Sequence, residues 1–178
     1  LFTGKLGEVT TTRATRTSEI DPKAPYYVIA NTSASAVQAV NKAISQGKSV
    51  YLTDDGYIVD RDTFASLLPN YAIYGDALYK VPSGPTLKPM KVYSPNYHYN
   101  WAGVDAPAHT SLVLEKLGFQ IVNTPEEADV VILESNRFDA SIFGKKPTLV
   151  IGGEAMQKLE KLGVLAGFDA EKLKGGSD

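Results

Sequence analysis

Apolar and polar positions along this chain switch between two periods, and the switches mark its elements. Residues 26–30, Tyr-Tyr-Val-Ile-Ala, make a short apolar run between Pro25 and Asn31, which predicts a strand. From Ser33 to about Gln46 the period lengthens. Ala36, Val37, Val40 and Ile44 fall on one helical face, and Gly47 stands where a helix-terminating glycine belongs. Residues 49–53 predict a second strand, Asp54, Asp55 and Gly56 a tight turn, and Tyr57, Ile58 and Val59 a third strand. Asp60 or Asp62 then caps a short helix running to Leu68. The first unit, 26–80, therefore reads as strand–helix–strand–hairpin. Residues 1–25, rich in Thr, Arg and Lys without a clear period, read as an arm or linker.

Three prolines between 81 and 89, with Ser83 and Gly84, read as a bridge to a second unit, 90–165. There, residues 90–93 predict a strand, 94–105 a loop, 106–117 a helix ended by Gly118, and 119–122 a strand. Thr124, Pro125 and the following glutamates form a helix-start signal. Val130, Val131, Ile132 and Leu133 are continuously apolar, as a parallel strand buried on both faces requires. Residues 148–151 repeat that character. Gly152 and Gly153 turn into a helix from Glu154 to Leu162, and 166–178 form a polar tail. Strands alternating with helices predict an α/β fold with a Rossmann-like or flavodoxin-like parallel sheet flanked by helices, built as one sheet or as two small α/β units.

Composition narrows the chemistry. The 178 residues, 43% of them hydrophobic, suffice for a real core without staples. Eighteen Lys and Arg are interspersed with twenty Asp and Glu, for a net charge of −2, so no basic stripe marks a nucleic-acid partner. No apolar run approaches the ~18 residues of a membrane span. The absence of cysteine removes disulfides, thiolate metal ligands and any cysteine nucleophile. The chain opens on Leu1 and closes on Gly-Gly-Ser-Asp, so both ends read as cuts in a longer protein.

Residues 91–157 resemble a class I glutamine amidotransferase-like domain. In that family a strand, a helix, a second strand and an apolar "D-x-V-I-L"-type strand precede a nucleophile elbow, a strand of the form P-x-L-x-I followed by Cys and a turn into a helix. The matching run here is Pro147, Thr148, Leu149, Val150, Ile151, Gly152, Gly153, Glu154 and Ala155, which sets Gly152 at the nucleophile position. Over a longer span, 26–162, "YYVIA", "AVQAVNKAISQGKSVYL", "GYIVDRDTF", "KVYSP", "LEKLGF" and "DVVILES" are similar to the amidotransferase-like region that follows the peptidase domain in secreted bacterial M14-type zinc carboxypeptidases. The resemblance implies an exported or cell-surface accessory domain that binds or positions a neighbouring catalytic domain of the same polypeptide. The peptidase site itself lies outside this segment. Those enzymes use His-x-x-Glu, whereas His98 and His109, the only histidines, are followed three residues on by Trp101 and Leu112.

No catalytic residue, metal site or cofactor is expected. His98, His109 and Asp105 are chemically a legitimate zinc set but lack diagnostic spacing. Asp54, Asp55, Asp60 and Asp62 are explained as turn formers and caps, and Ser94 and Ser111 have no G-x-S-x-G context. Two segments remain as binding candidates. One is the aromatic loop, with Asn96, Tyr97, His98, Tyr99 and Trp101, suited to a peptide, a sugar or a docking domain. The other is the turn Gly152, Gly153 and Glu154, where amides at a helix start could receive an anion, although a simple glycine turn explains it too. An alternative function is a small-molecule or sugar-binding module using residues 93–101. Another is a hydrolase whose catalytic groups lie elsewhere.

Overall fold

The hydrophobic runs settle into two sheets of different construction. The structure, a computed structural model, describes residues 19–95 and 109–165. The chain divides into two compact units, Leu1–Lys88 and Pro89–Asp178. Together they make a mixed α/β protein with one antiparallel sheet and one parallel sheet flanked by helices.

The first unit holds β1 (Tyr26–Ile29), α1 (Ala34–Ser45), β2 (Tyr51–Thr53), β3 (Gly56–Asp60), α2 (Arg61–Leu67) and β4 (Gly75–Leu78). Ser33 caps α1, its Oγ accepting the Ala36 amide at 3.1 Å. The helix closes as its sequence foretells. Gly47 takes φ 74°, its N–H donates to Ile44 O, and the Lys48 N–H donates to Ala43 O, a Schellman arrangement. The sheet order is β2-β3-β1-β4 with every pair antiparallel; the expected hairpin joins β2 and β3, and the parallel sheet expected of the chain lies in the second unit. The physical reason for this order is that α1 carries the chain from β1 to a position two places away. The Asp54–Asp55 hairpin then folds β3 back into the gap, antiparallel to both neighbours. β4, absent from the sequence reading, pairs the other side of β1, with Ile29 opposite Gly75.

Tyr27 and Phe64 stack at the centre of this unit, with ring centroids 4.3 Å apart and ring planes nearly parallel, among Ile29, Val40, Ile44 and Val59. Residues 19–25, expected to belong to a loose arm, are fastened to the unit. Ala24 is buried and Ile20 packs on the core. The Asp21 N–H donates to Tyr27 Oη at 2.6 Å, Tyr79 Oη donates to Asp21 Oδ2 at 2.6 Å, and Arg61 Nη1 donates to Pro22 O at 2.7 Å. The tyrosine hydroxyl and the Lys23 amide hold the Asp21 carboxyl below its ordinary pKa. The proline-rich stretch expected as a bridge runs along β2, with Leu52 N–H donating to Pro85 O and Leu87 N–H to Val50 O.

The second unit holds β5 (Lys91–Tyr93), α3 (His109–Lys116), β6 (Gln120–Ile121), β7 (Val130–Leu133), β8 (Thr148–Val150) and α4 (Gly153–Lys161). Its order is β6-β5-β7-β8, all parallel, the 2-1-3-4 order of flavodoxin-like sheets. The expected helix start at Thr124 yields only a 3-10 turn, Pro125–Glu127, and Thr124 makes no capping bond. Val131 and Leu133 pack with Tyr93, Val150, Phe138, Ala155 and Leu159, so α4 covers that face. Lys158 of α4 lies 4.5 Å from the centroid of the Phe138 ring and donates to Asn136 O at 2.8 Å and to Phe138 O, tying down the chain that leaves β7.

Candidate functional site at the carboxyl edge of the parallel sheet

Open parallel sheets place ligands beyond the carboxyl ends of their strands, where successive connections leave in opposite directions. In the second unit that point lies between β5 and β7. β7 runs into Glu134. Alternation turns its side chain away from Val131 and Leu133, toward the face shared with Ile132. Thr110 of α3 donates its hydroxyl to Glu134 Oε2, which sets the start of α3 over this face. Ser94, one residue past β5, falls on the same side, because its neighbour Tyr93 pairs with Val131 and packs into the opposite core.

Ser94 is 2% exposed and Ser111 6% exposed, and neither hydroxyl has a hydrogen-bond partner among the described residues. A buried hydroxyl left unpaired costs about 1–3 kcal/mol. These two buried hydroxyls, one following β5 and one in the first turn of α3 beside Thr110, are polar groups that no hydrogen bond among the described residues accounts for.

The turn after β8 adjoins this edge. Ile151 N–H donates to Leu133 O at 2.8 Å, and a Cβ at Gly152 would sit 3.9 Å from Glu134 O. Gly152 has φ 87° and ψ 160°, a combination open essentially to glycine alone. Gly152, Gly153 and Glu154 are exposed, and Glu154 sits in the first turn of α4, where a negative charge suits the helix dipole. The structure thus brings this predicted turn beside Glu134.

The other predicted binding residues, Asn96, Tyr97, His98, Tyr99 and Trp101, lie outside the described residues, as do Asp105 and the side chain of His109. The aspartates take structural roles. Asp60 caps α2, accepting from Thr63 N at 2.8 Å and Thr63 Oγ1 at 2.7 Å, and Asp62 pairs with Arg61 at 3.3 Å on the surface. Sequence reasoning missed Glu134 and Thr110. The available signal was position, since Glu134 is the first charged residue after the apolar run of β7. Among the described residues, no group of three His, Asp or Glu could hold a metal ion, and no helix is long and apolar enough to cross a membrane.

Comparison of the chain with family models, with curated proteins and with solved structures found no match.

Proposed function

We propose that this chain is a non-catalytic, amidotransferase-like accessory domain that binds or positions a neighbouring domain of the same exported polypeptide. The observation that carries the reading is the elbow after β8. A parallel strand ends in a turn into a helix at the sheet's carboxyl edge, and the residue at the turn, Gly152, has no side chain and a backbone that suits none. The elbow's shape is present without the group that would make it an acyl-transfer centre. The neighbour's class, a zinc carboxypeptidase, and the exported location rest on the sequence resemblance.

The test begins with the coding sequence that flanks this segment, which should encode a domain with His-x-x-Glu. The full polypeptide, expressed with and without residues 26–165, should lose thermal stability or peptide turnover on deletion. The purified chain should release no ammonia from glutamine. A flanking sequence without a peptidase motif would refute the partner, and ammonia release would refute the non-catalytic role.

A second reading is favoured by the unpaired hydroxyls of Ser94 and Ser111. On this reading the carboxyl edge takes a small polar ligand, such as a sugar, that hydrogen-bonds to them and to Glu134. A thermal-shift screen of mono- and disaccharides should find a stabilising ligand whose effect disappears in Ser94→Ala. A flat screen, or a shift that survives the substitution, would sink it.

A further inference from the structure

We propose that two copies of this chain associate through the edge of β8 that no described residue pairs, in an antiparallel two-fold pairing centred on Leu149. The hydrogen bonds to β7 fix which groups remain. Pro147 O accepts from Val131 N and Ile151 N donates to Leu133 O, so the odd-numbered residues of β8 face β7. The N–H and C=O groups of Thr148 and Val150 therefore point to the open side, where no described residue pairs with them. Unpaired edge groups of this kind are a template for another strand.

Among the described residues, protection of this edge is confined to its start, where Lys145, Lys146 and Pro147 precede a strand of three residues. Residues 148–151 carry no charge. The chain on both sides of β8, through Ile142, Phe143, Ala155 and Leu159, packs on the face of Val131 and Leu133. The opposite face is left bare at this edge, with Leu149 51% and Ile151 44% exposed.

The edge is self-complementary. With Leu149 opposite Leu149 of the second copy, Thr148 meets Val150 and Val150 meets Thr148, and their four N–H groups find four carbonyls. The two leucines become closely spaced cross-strand neighbours, and Ile151 falls beside Pro147 of the other copy. Charge selects the direction. Lys145 and Lys146 precede the strand and Glu154 follows it. Antiparallel pairing sets the lysines of one copy alongside the turn and glutamate of the other, whereas parallel pairing would set like charges together.

Sedimentation equilibrium of the whole 178-residue chain tests this. The wild type should show a concentration-dependent monomer–dimer equilibrium. Leu149→Lys and Leu149→Glu, half-exposed in the monomer, should each weaken it about ten-fold or more while leaving the circular dichroism unchanged. Mixing the two variants should restore a one-to-one heterodimer. In the wild type, the amides of Thr148 and Val150 should exchange more slowly as protein concentration rises, a readout that needs no variant. A wild type that stays monomeric, variants that dimerise as well as the wild type, or a mixture that does not recover would each overturn the proposal.

Discussion

Gly152 and Gly153 are adjacent in the chain, yet alanine should affect them in opposite ways. At Gly152 the added methyl group has room, its nearest neighbour being Glu134 O at 3.9 Å, so steric conflict contributes little. The cost comes from the backbone, because φ 87° with ψ 160° is closed to residues with a Cβ, a strain of about 1–3 kcal/mol. Alanine is also a poorer N-cap than glycine. At Gly153, the first residue of α4, φ is not positive and nothing lies within 4 Å of the new Cβ. There alanine only restricts the unfolded chain and should stabilise by about 0.4–1 kcal/mol. Urea denaturation followed by circular dichroism, with hydrogen exchange at the α4 amides to localise the effect, should therefore separate the variants by about 2 kcal/mol or more. Equal stabilities would mean that Gly152 does not hold the strained turn, and the elbow underlying the proposed function would be lost with it.

Asp60→Ala should destabilise the first unit by about 1–2 kcal/mol, because it removes the α2 cap and the partner of the buried Thr63 hydroxyl. Burial alone would raise the Asp60 pKa, but the Thr63 hydroxyl and amide, the Asp62 amide and the Lys48 charge outweigh it and leave the carboxyl below its ordinary value. Its contribution is thus complete above the unfolded value of about 3.9 and fades as pH falls through the lower folded one. The gap between wild type and Asp60→Ala should be flat near neutrality and close in acid, and a gap that widened in acid would contradict this. Gly56→Ala should cost about 3 kcal/mol or more, since its Cβ would lie 2.2 Å from the backbone oxygen of Ile29. Gly47→Ala has open space and only positive φ to oppose it, so it should cost about 1 kcal/mol, and a smaller loss at Gly56 than at Gly47 in denaturant titrations would be inconsistent with the β1–β3 packing. Protein dialysed without chelator should hold no stoichiometric zinc by atomic absorption, and one equivalent that vanished in His98→Ala would show a site the sequence argument rejected.

Elements with strong local signals were legible in the sequence. Ser33 and Gly47 bracket α1 because a side-chain cap and a left-handed glycine are decided within a few residues. The apolar run of β7 was legible because burial on both faces leaves no other pattern. β4 was not, because Gly-Asp-Ala-Leu has little strand propensity and is held by pairing with β1. The hairpin of β2 and β3 was legible from Asp54, Asp55 and Gly56, but its insertion beside β1 was not, since a turn signal does not say which further strand a hairpin will pair with. At the site, the Gly152 turn could be read from its glycines. The burial of Ser94 and Ser111 and the bond from Thr110 to Glu134 depend on contacts between residues far apart in the chain, which no local pattern records.

Among the described residues, the first hydrophobic core lies between Ile20 and Leu87 and the second between Tyr93 and Leu165. Chains grow from the amino terminus at about 5–20 residues per second, and domains generally fold as units during synthesis. The described core of the first unit therefore has its partners before any strand of the second has emerged, and it can close while synthesis continues. The second unit is in the opposite position. Its central strand β7 appears with β5 already waiting, but Leu133 gains Ala155 and Leu159 only when α4 is nearly complete. During that interval the apolar surface of β7 is exposed beside the ribosome, and the time spent translating about 25 more residues sets how long a chaperone or a neighbouring nascent chain can reach it.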